Sequence, residues 1–210
     1  MTEMKQYIAI SDYNYNLPNE RIAKYPLENR DLSKLLVFKK GKIESDIFSN
    51  LHQYIPSGSL MIFNDTRVIQ ARLQFKKQSS SKIEIFCLEP VEPEDYYEAF
   101  QKTENCKWKC LIGNLKKWKE GKVEFNLNFE GTEIKLQALN EADKGDWQLI
   151  SFTWRPENLS FGEILEIAGK TPIPPYLKRQ SEEIDRTRYQ TIYSMQNGSV
   201  AAPTAGLPRA

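Results

Sequence analysis

Lys82-Ile83-Glu84-Ile85-Phe86-Cys87-Leu88 places Ile83, Ile85 and Cys87 at alternate positions, and the same period of two returns at Trp108 to Ile112, Lys122 to Phe129, Thr132 to Leu139 and Trp147 to Phe152. Successive side chains of a strand point to opposite faces, so this alternation predicts half-buried strands. Gly113-Asn114, Glu120-Gly121, Glu130-Gly131 and Lys144-Gly145-Asp146 separate them as turns. Such regular spacing predicts an all-β block over residues 74–152, a small barrel or sandwich.

On either side the pattern changes. Leu17 to Tyr25 reads as one or two helical turns, opened by Pro18 and stopped by Pro26. Lys34 to Lys39 reads as a buried strand closed by Gly41. An amphipathic helix is expected from Asp46, capped by Ser45 or Asp46, with apolar positions 47, 48, 51, 54 and 55 and a stop before Pro56. Leu60 to Phe63 reads as a second buried strand. Strand, helix and strand in succession predict an α/β element. Helical spacing resumes at Phe161 to Ala168 and is closed by Gly169 as a C′ residue. The fold class expected is therefore α+β or α/β, with a discontinuous domain of residues 1–73 and 153–210 and an inserted all-β domain of residues 74–152.

The 210 residues are 40% hydrophobic and 27% charged with a net charge of +1, which excludes disordered, collagenous and disulfide-framework classes. Apolar runs such as Ser59 to Phe63 fall far short of the roughly 18 residues that span a bilayer. The N-terminus lacks the apolar core of a signal peptide, so a cytoplasmic location and no membrane partner are expected. Cys87, Cys106 and Cys110 are expected to be structural thiols, and Ser79-Ser80-Ser81 a loop. His52, the only histidine, falls off the apolar stripe of its segment and is expected at the surface. Triads and metal sites that need several imidazoles are thereby disfavoured, and no metal is expected.

Charge is uneven. Glu89 to Glu98 holds five acids and no base, whereas Lys107 to Lys122 holds six lysines and one acid, interleaved with Trp108 and Trp118. Lysines neutralise phosphates and indoles stack on unpaired bases, so this stretch could touch RNA, but the favoured reading is a solvated Lys-rich edge strand and hairpin. In Phe63 to Arg72 a strand runs into Asn64, Asp65, Thr66 and Arg67. Asn64 and Thr66 offer neutral hydrogen-bonding groups, and Arg67 and Arg72 offer forked cations for phosphate or carboxylate. An Asx-type turn with solvated arginines fits the spacing as well. Pro172, Pro174 and Pro175 stiffen the path to Tyr176, as a pocket wall or as a linker. Gly198 to Leu207 is almost all small residues, which let a ligand approach the backbone or simply form a tail.

Taken together, FNDTRVIQARL at 63–73, GKTPIPPYLKR at 169–179, DRTRYQTIYS at 185–194 and GSVAAPTAGL at 198–207 resemble the S-adenosylmethionine:tRNA ribosyltransferase-isomerases. So do residues 11–37 and KWKCLIGNLKKWKEGK at 107–122. The resemblance implies a tRNA-modifying enzyme of queuosine biosynthesis. It would act on tRNA of GUN anticodon carrying 7-aminomethyl-7-deazaguanine, with S-adenosylmethionine as co-substrate, giving epoxyqueuosine, adenine and methionine. It also implies an α/β barrel, only partly present here, with an inserted small β-barrel.

Carried over by motif, the substrate-binding residues would be Asn64, Thr66, Arg67, Arg72, Pro174, Pro175, Tyr176, Gln190, Thr191, Tyr193, Ala201, Ala202, Pro203, Thr204, Ala205, Gly206 and Leu207. Asp185 and Tyr189 would be the catalytic candidates. Arg67 and Arg72 would hold tRNA phosphate or the methionine carboxylate, and Tyr176 or Tyr189 would stack on a base. Two departures stand out. The family continues AAPTAGL with His-Phe-Thr and a long further segment, where this sequence reads Pro208-Arg209-Ala210. A glycine common before Ile83 is replaced by the serine run. The resembled enzyme is expected to be a monomer, and a half-built α/β barrel is expected to self-associate or aggregate.

Overall fold

The computed structural model describes residues 8–76, 82–118 and 121–208, so the Ser79 to Ser81 loop and the extreme N-terminus lie outside the described residues. In chain order, β1 (Lys34–Lys39) and β2 (Lys42–Ile47) form a hairpin, and β3 (Thr66–Val68) precedes β4 (Arg72–Lys76) and β5 (Lys82–Glu92). Helix α1 (Tyr96–Gln101), β6 (Asn105–Gly113), β7 (Lys122–Phe129), β8 (Thr132–Asp143) and β9 (Gln148–Arg155) follow. The chain ends with α2 (Phe161–Ala168), α3 (Asp185–Arg188) and β10 (Gln196–Ser199). The molecule is mostly sheet with few helices.

The alternation read at Lys82 to Leu88 is the core pattern of a six-stranded antiparallel sheet ordered β4-β5-β6-β9-β8-β7. Ile83, Ile85 and Cys87 of β5, Cys106, Trp108 and Cys110 of β6, Leu136 and Ala138 of β8, and Ile150, Phe152 and Trp154 of β9 are all buried on one face. The sheet coils until its edge strands meet, with Phe75 of β4 and Phe125 of β7 at 5.0 Å between ring centroids, so the barrel is nearly closed. Helix α2 places Phe161, Ile164 and Leu165 on the core, the i, i+3, i+4 stripe of an amphipathic helix. Phe161 lies 5.6 Å from Trp108, 5.2 Å from Phe152 and 5.3 Å from Trp154. A reciprocal capping box between Ser160 and Glu163 starts this helix.

Several expectations are corrected. The helix expected from Asp46 is absent. Lys40 and Gly41 both have positive φ, 52° and 78°, the two-residue turn that folds a strand back with matching twist, so residues 42–47 pair with β1 and only Phe48–Gln53 turns, as 3-10 helix. Asp46 then accepts from Ile47 N, Asn50 and Tyr54. The strand expected at Leu60 to Phe63 does not form, and β1, expected to be buried, exposes one face. The N-terminal strand–helix–strand unit is thus not observed. Leu17 to Tyr25 holds a single 3-10 turn, Asn19–Arg21.

The basic stretch changes meaning. Trp108 is wholly buried and Trp118 nearly so, donating its indole N–H to Gly121 O at 2.9 Å, so neither indole is offered to a nucleic-acid base. β6 is interior to the sheet and not an edge strand. Lys109 pairs with Glu89 at 2.6 Å and Lys107 with Glu92 at 2.8 Å, so the acidic and basic stretches meet across neighbouring strands. The three cysteines are buried and His52 is exposed, as expected. Helix α1 inside the acidic stretch was not foreseen. Asp95 caps it by accepting from Glu98 N at 3.0 Å.

Candidate functional site

β3 brings the motifs together. It pairs in parallel with β10, aligning Thr66 with Gln196 and Arg67 with Asn197, so the first motif lies beside the last. Backbone groups alternate along a strand, and those of Val68 point away from β10. There the Gln190 amide completes the ladder as a strand would, with Val68 N donating to Oε1 at 2.9 Å and Nε2 donating to Val68 O at 2.8 Å. The stiff proline segment joins next. Lys170 exchanges backbone hydrogen bonds with Arg72, and Thr171 donates to the Gln70 side chain at 2.8 Å in a buried pair.

Gly169 ends α2 with φ −83°, not in the left-handed form expected of a C′ glycine. It is needed because a Cβ there would collide with the Gln70 carbonyl oxygen.

Asp185 is buried and receives a two-pronged ion pair from Arg179, both contacts at 2.7 Å, plus Glu182 N at 2.8 Å. Burial alone would raise its pKa, but the Arg179 guanidinium and the Glu182 N–H outweigh it and hold the carboxyl below the usual aspartate range. A carboxylate in this state is a weak proton acceptor at neutral pH. Arg179 also lies over the Tyr25 ring at 4.5 Å, and Tyr25 donates to Glu182 at 2.7 Å. Arg30 donates to the carbonyls of Gln190 and Thr187, and Arg188 to that of Leu27. Residues 11–37 thus clamp the segment that carries Asp185 to Gln190. Arg179 and Arg30 were not singled out from the sequence, although Arg179 stands at the end of its motif.

The remaining candidates fall into two groups. Arg72, Pro174 and Pro175 line a hollow of about 200 Å³ with Lys170, Thr171 and Arg179. Arg72 pairs with Glu84 at 2.6 Å and lies 4.6 Å over Phe86, leaving its buried Nε without a partner among the described residues. The second group surrounds the end of β3. Asn64 accepts from Thr66 N at 2.9 Å and Thr66 Oγ1 at 2.6 Å, the Asx turn that the spacing allowed. Arg67 is exposed, and its guanidinium has no partner among the described residues. Tyr193 packs edge-on against Phe63 at 5.3 Å. A Cβ at Gly206 would strike the Tyr193 hydroxyl and crowd the Thr191 methyl, so this glycine is set by close packing. Thr191 Oγ1 is buried without a partner among the described residues.

Ala201, Ala202, Pro203, Thr204, Ala205, Gly206 and Leu207 form a loop with one 3-10 turn, Thr204–Gly206, and no helix begins within it. Tyr189 accepts from the Ala202 N–H and stands near Tyr176. Burial pushes its hydroxyl up, the Ala202 N–H opposes this, and neighbouring Tyr176 adds to the rise. Tyr176 itself is exposed. A wider hollow of about 630 Å³, between α2, the β7–β8 turn and β10, contains none of the sequence-predicted site residues.

A family described as "Queuosine biosynthesis protein" matches residues 10–209. A protein of Trichlorobacter lovleyi named "S-adenosylmethionine:tRNA ribosyltransferase-isomerase" is 38% identical over 202 residues, 95% of this chain and 53% of the relative. Relatives of the same name from Aquifex aeolicus and Citrifermentans bemidjiense are 36% identical over 203 residues and 40% over 204, covering 54% and 53% of their lengths. The chain spans about half the length of the curated relatives it matches. The five motifs that converge on β3 all lie within the matched span, and on that match this chain belongs to the queuosine biosynthesis protein family.

Proposed function

We propose that this chain forms the substrate-holding part of an S-adenosylmethionine:tRNA ribosyltransferase-isomerase. The observation that carries the reading is the convergence on β3, where β10, Gln190, the proline segment and residues 11–37 lock motifs far apart in sequence into one cluster. The reaction transfers the ribosyl part of S-adenosylmethionine to the aminomethyl nitrogen of 7-aminomethyl-7-deazaguanine in tRNA of GUN anticodon. A sulfonium acidifies the adjacent C5′–H; loss of that proton, departure of adenine and capture of the sugar by the amine lead, after isomerisation, to epoxyqueuosine with release of methionine. Fixing both substrates supplies much of the acceleration, up to about 7–11 kcal/mol.

In this reading the exposed guanidinium of Arg67 takes a tRNA phosphate. Arg72, Lys170 and Arg179 around the small hollow offer cations to the methionine carboxylate. Tyr176 and Tyr189 provide ring faces for a base, and Gly206 and the Thr191 hydroxyl border the nucleoside. Asp185 holds Arg179 in place and is not the general base. Residues 1–73 and 153–210 belong to an α/β barrel and residues 74–152 to an insertion. The enzyme works as a cytoplasmic monomer without a metal.

Incubating the chain with S-adenosylmethionine and the modified tRNA, and following adenine by chromatography, tests the proposal. Binding of both substrates is expected, with adenine release that requires the aminomethyl base. Failure to bind either substrate, while the Trichlorobacter lovleyi relative is active in the same mixture, would overturn it.

A further inference from the structure

The wider hollow of about 630 Å³ shares a face with the motif cluster. Arg67 is paired in register with Asn197, and Ile69 prolongs β3 by donating its N–H to Ser199 O at 3.0 Å. Residues opposite each other on neighbouring strands, and residues two apart on one strand, point to the same side of a sheet. Arg67 therefore stands beside Asn197 and Ile69, both of which line the hollow. The volume is that of a small-molecule site, which runs from about 300 to 1,000 Å³.

The lining has two characters. Ile69, Ile134, Leu159 and Leu165 give it apolar walls, and Phe129, 43% exposed, adds an accessible ring. With them stand Glu130, Glu163 and Glu166, and among the described residues the lining holds no lysine or arginine. The three carboxylates are not equivalent. Glu166 faces Arg186 at 2.9 Å, whereas Glu163 accepts only from Ser160 N and Oγ, which are uncharged donors. Glu130, in the β7–β8 turn, has no partner among the described residues, and neither do the side-chain amides of Asn158 and Asn197.

Such a lining fits a flat ring with a hydrogen-bonding edge and a cationic substituent. The apolar walls and Phe129 take the ring, the amides take its edge, and an unpaired carboxylate takes the cation. Both substrates of the proposed reaction carry a ring and a cation. S-adenosylmethionine, however, also carries a carboxylate, which Glu130 and Glu163 repel and which the cations around the smaller hollow attract. The 7-aminomethyl-7-deazaguanine base carries an amine alone, protonated at neutral pH as alkyl amines are. It also arrives attached to phosphates, and Arg67 lies on the same face to hold one.

We infer, on the reading of this chain as the substrate-holding part, that the hollow between α2, the β7–β8 turn and β10 receives the aminomethyl-bearing base, turned out of the anticodon stack. Glu130 holds its ammonium group, and Asn158 and Asn197 meet its edge. Guanine has closely similar rings without the cation, so Glu130 sets the preference for the modified base. Tyr176 and Tyr189 are left to the adenine of S-adenosylmethionine.

The test titrates the 210-residue chain with two anticodon stem-loop RNAs of one sequence, carrying either 7-aminomethyl-7-deazaguanine or guanine, at fixed salt. The aminomethyl RNA is expected to bind at least about tenfold tighter, the worth of one hydrogen bond to a charged group. Glu130→Gln should bring the two RNAs to equal affinity by weakening the aminomethyl RNA alone. Thr132→Trp, which fills the hollow from an exposed position of the same turn, should also remove the preference. Both variants should melt with the unaltered chain, and Arg67→Ala should weaken the two RNAs alike. Equal binding of both RNAs by the unaltered chain, or a preference that survives Glu130→Gln and Thr132→Trp, would overturn the inference and leave the proposed function standing. So would loss of S-adenosylmethionine binding in Thr132→Trp with the RNA preference intact, which assigns the hollow to the co-substrate. Binding of neither RNA would overturn the proposed function and the inference together.

Discussion

Replacing Asp185 with Asn keeps the shape of the side chain and removes its charge from beneath Arg179. The side chains of the pair are only 4 and 10% exposed, and two contacts of 2.7 Å join them. Water therefore cannot take over the Arg179 charge, and removing one member of a buried pair costs about 3–5 kcal/mol. The Asn oxygen still accepts one bond from Arg179, which puts the expected loss at the lower end, about 3 kcal/mol. In a domain of this size that lowers Tm by roughly 6–12 °C. Thermal melts of the unaltered chain, Asp185→Asn, Arg179→Met and the double variant at pH 7 close a cycle whose coupling is expected to exceed about 1 kcal/mol.

The pH dependence has a definite sign. The folded-state pKa of Asp185 is lowered, since the pull of Arg179 and Glu182 N–H exceeds the opposing effect of burial. The stability it contributes is therefore fully present above the unfolded value near 3.9 and is lost as pH falls through the folded value. The Tm gap between the unaltered chain and Asp185→Asn should stay flat from about pH 8 to 5 and narrow only below about 4. A coupling under about 0.5 kcal/mol, or a gap that narrows already between pH 7 and 5, would refute the reasoning.

Gln190→Leu leaves the Val68 N–H and C=O without their side-chain partners in a buried place, and a loss of about 2–4 kcal/mol is expected in urea unfolding. Arg67→Ala touches an exposed guanidinium that has no partner among the described residues, so stability should change by less than about 0.5 kcal/mol. The salt dependence of tRNA binding should at the same time lose about 0.9 from its log–log slope if Arg67 takes a phosphate. Cys106 and Cys110 are buried, and burial pushes both thiols well up, so a disulfide reagent should label them only after unfolding.

Five of the six strands of the sheet were legible because each carries its instruction locally, whereas β4 (Arg72–Lys76) was not read as a strand. The alternation Ile83, Ile85, Cys87 or Ile150, Phe152, Trp154 states both the conformation and the face that turns inward, and the Glu130-Gly131 turn, with φ 49° and 83°, marks the reversal. Phe161 to Ala168 was legible for the same reason, from its 3.6-residue stripe. Residues 45–55 misled because apolar positions 47, 48, 51, 54 and 55 fit a helix, while the decision lay with a turn at Lys40-Gly41 and a partner strand upstream.

By itself, then, the sequence determined five of the six barrel strands, their inward faces, the second helix and, through its motifs, the family. The tertiary structure alone decided what each motif side chain does. Gln190 meets Val68 across 122 residues, Arg30 meets Gln190 across 160, and Trp108 is core because β9 and α2 close over it. The physical reason is range. Side-chain periodicity is a property of neighbours a few residues apart, whereas the partner of a buried amide or carboxylate is set by how distant segments pack, and no local pattern encodes that.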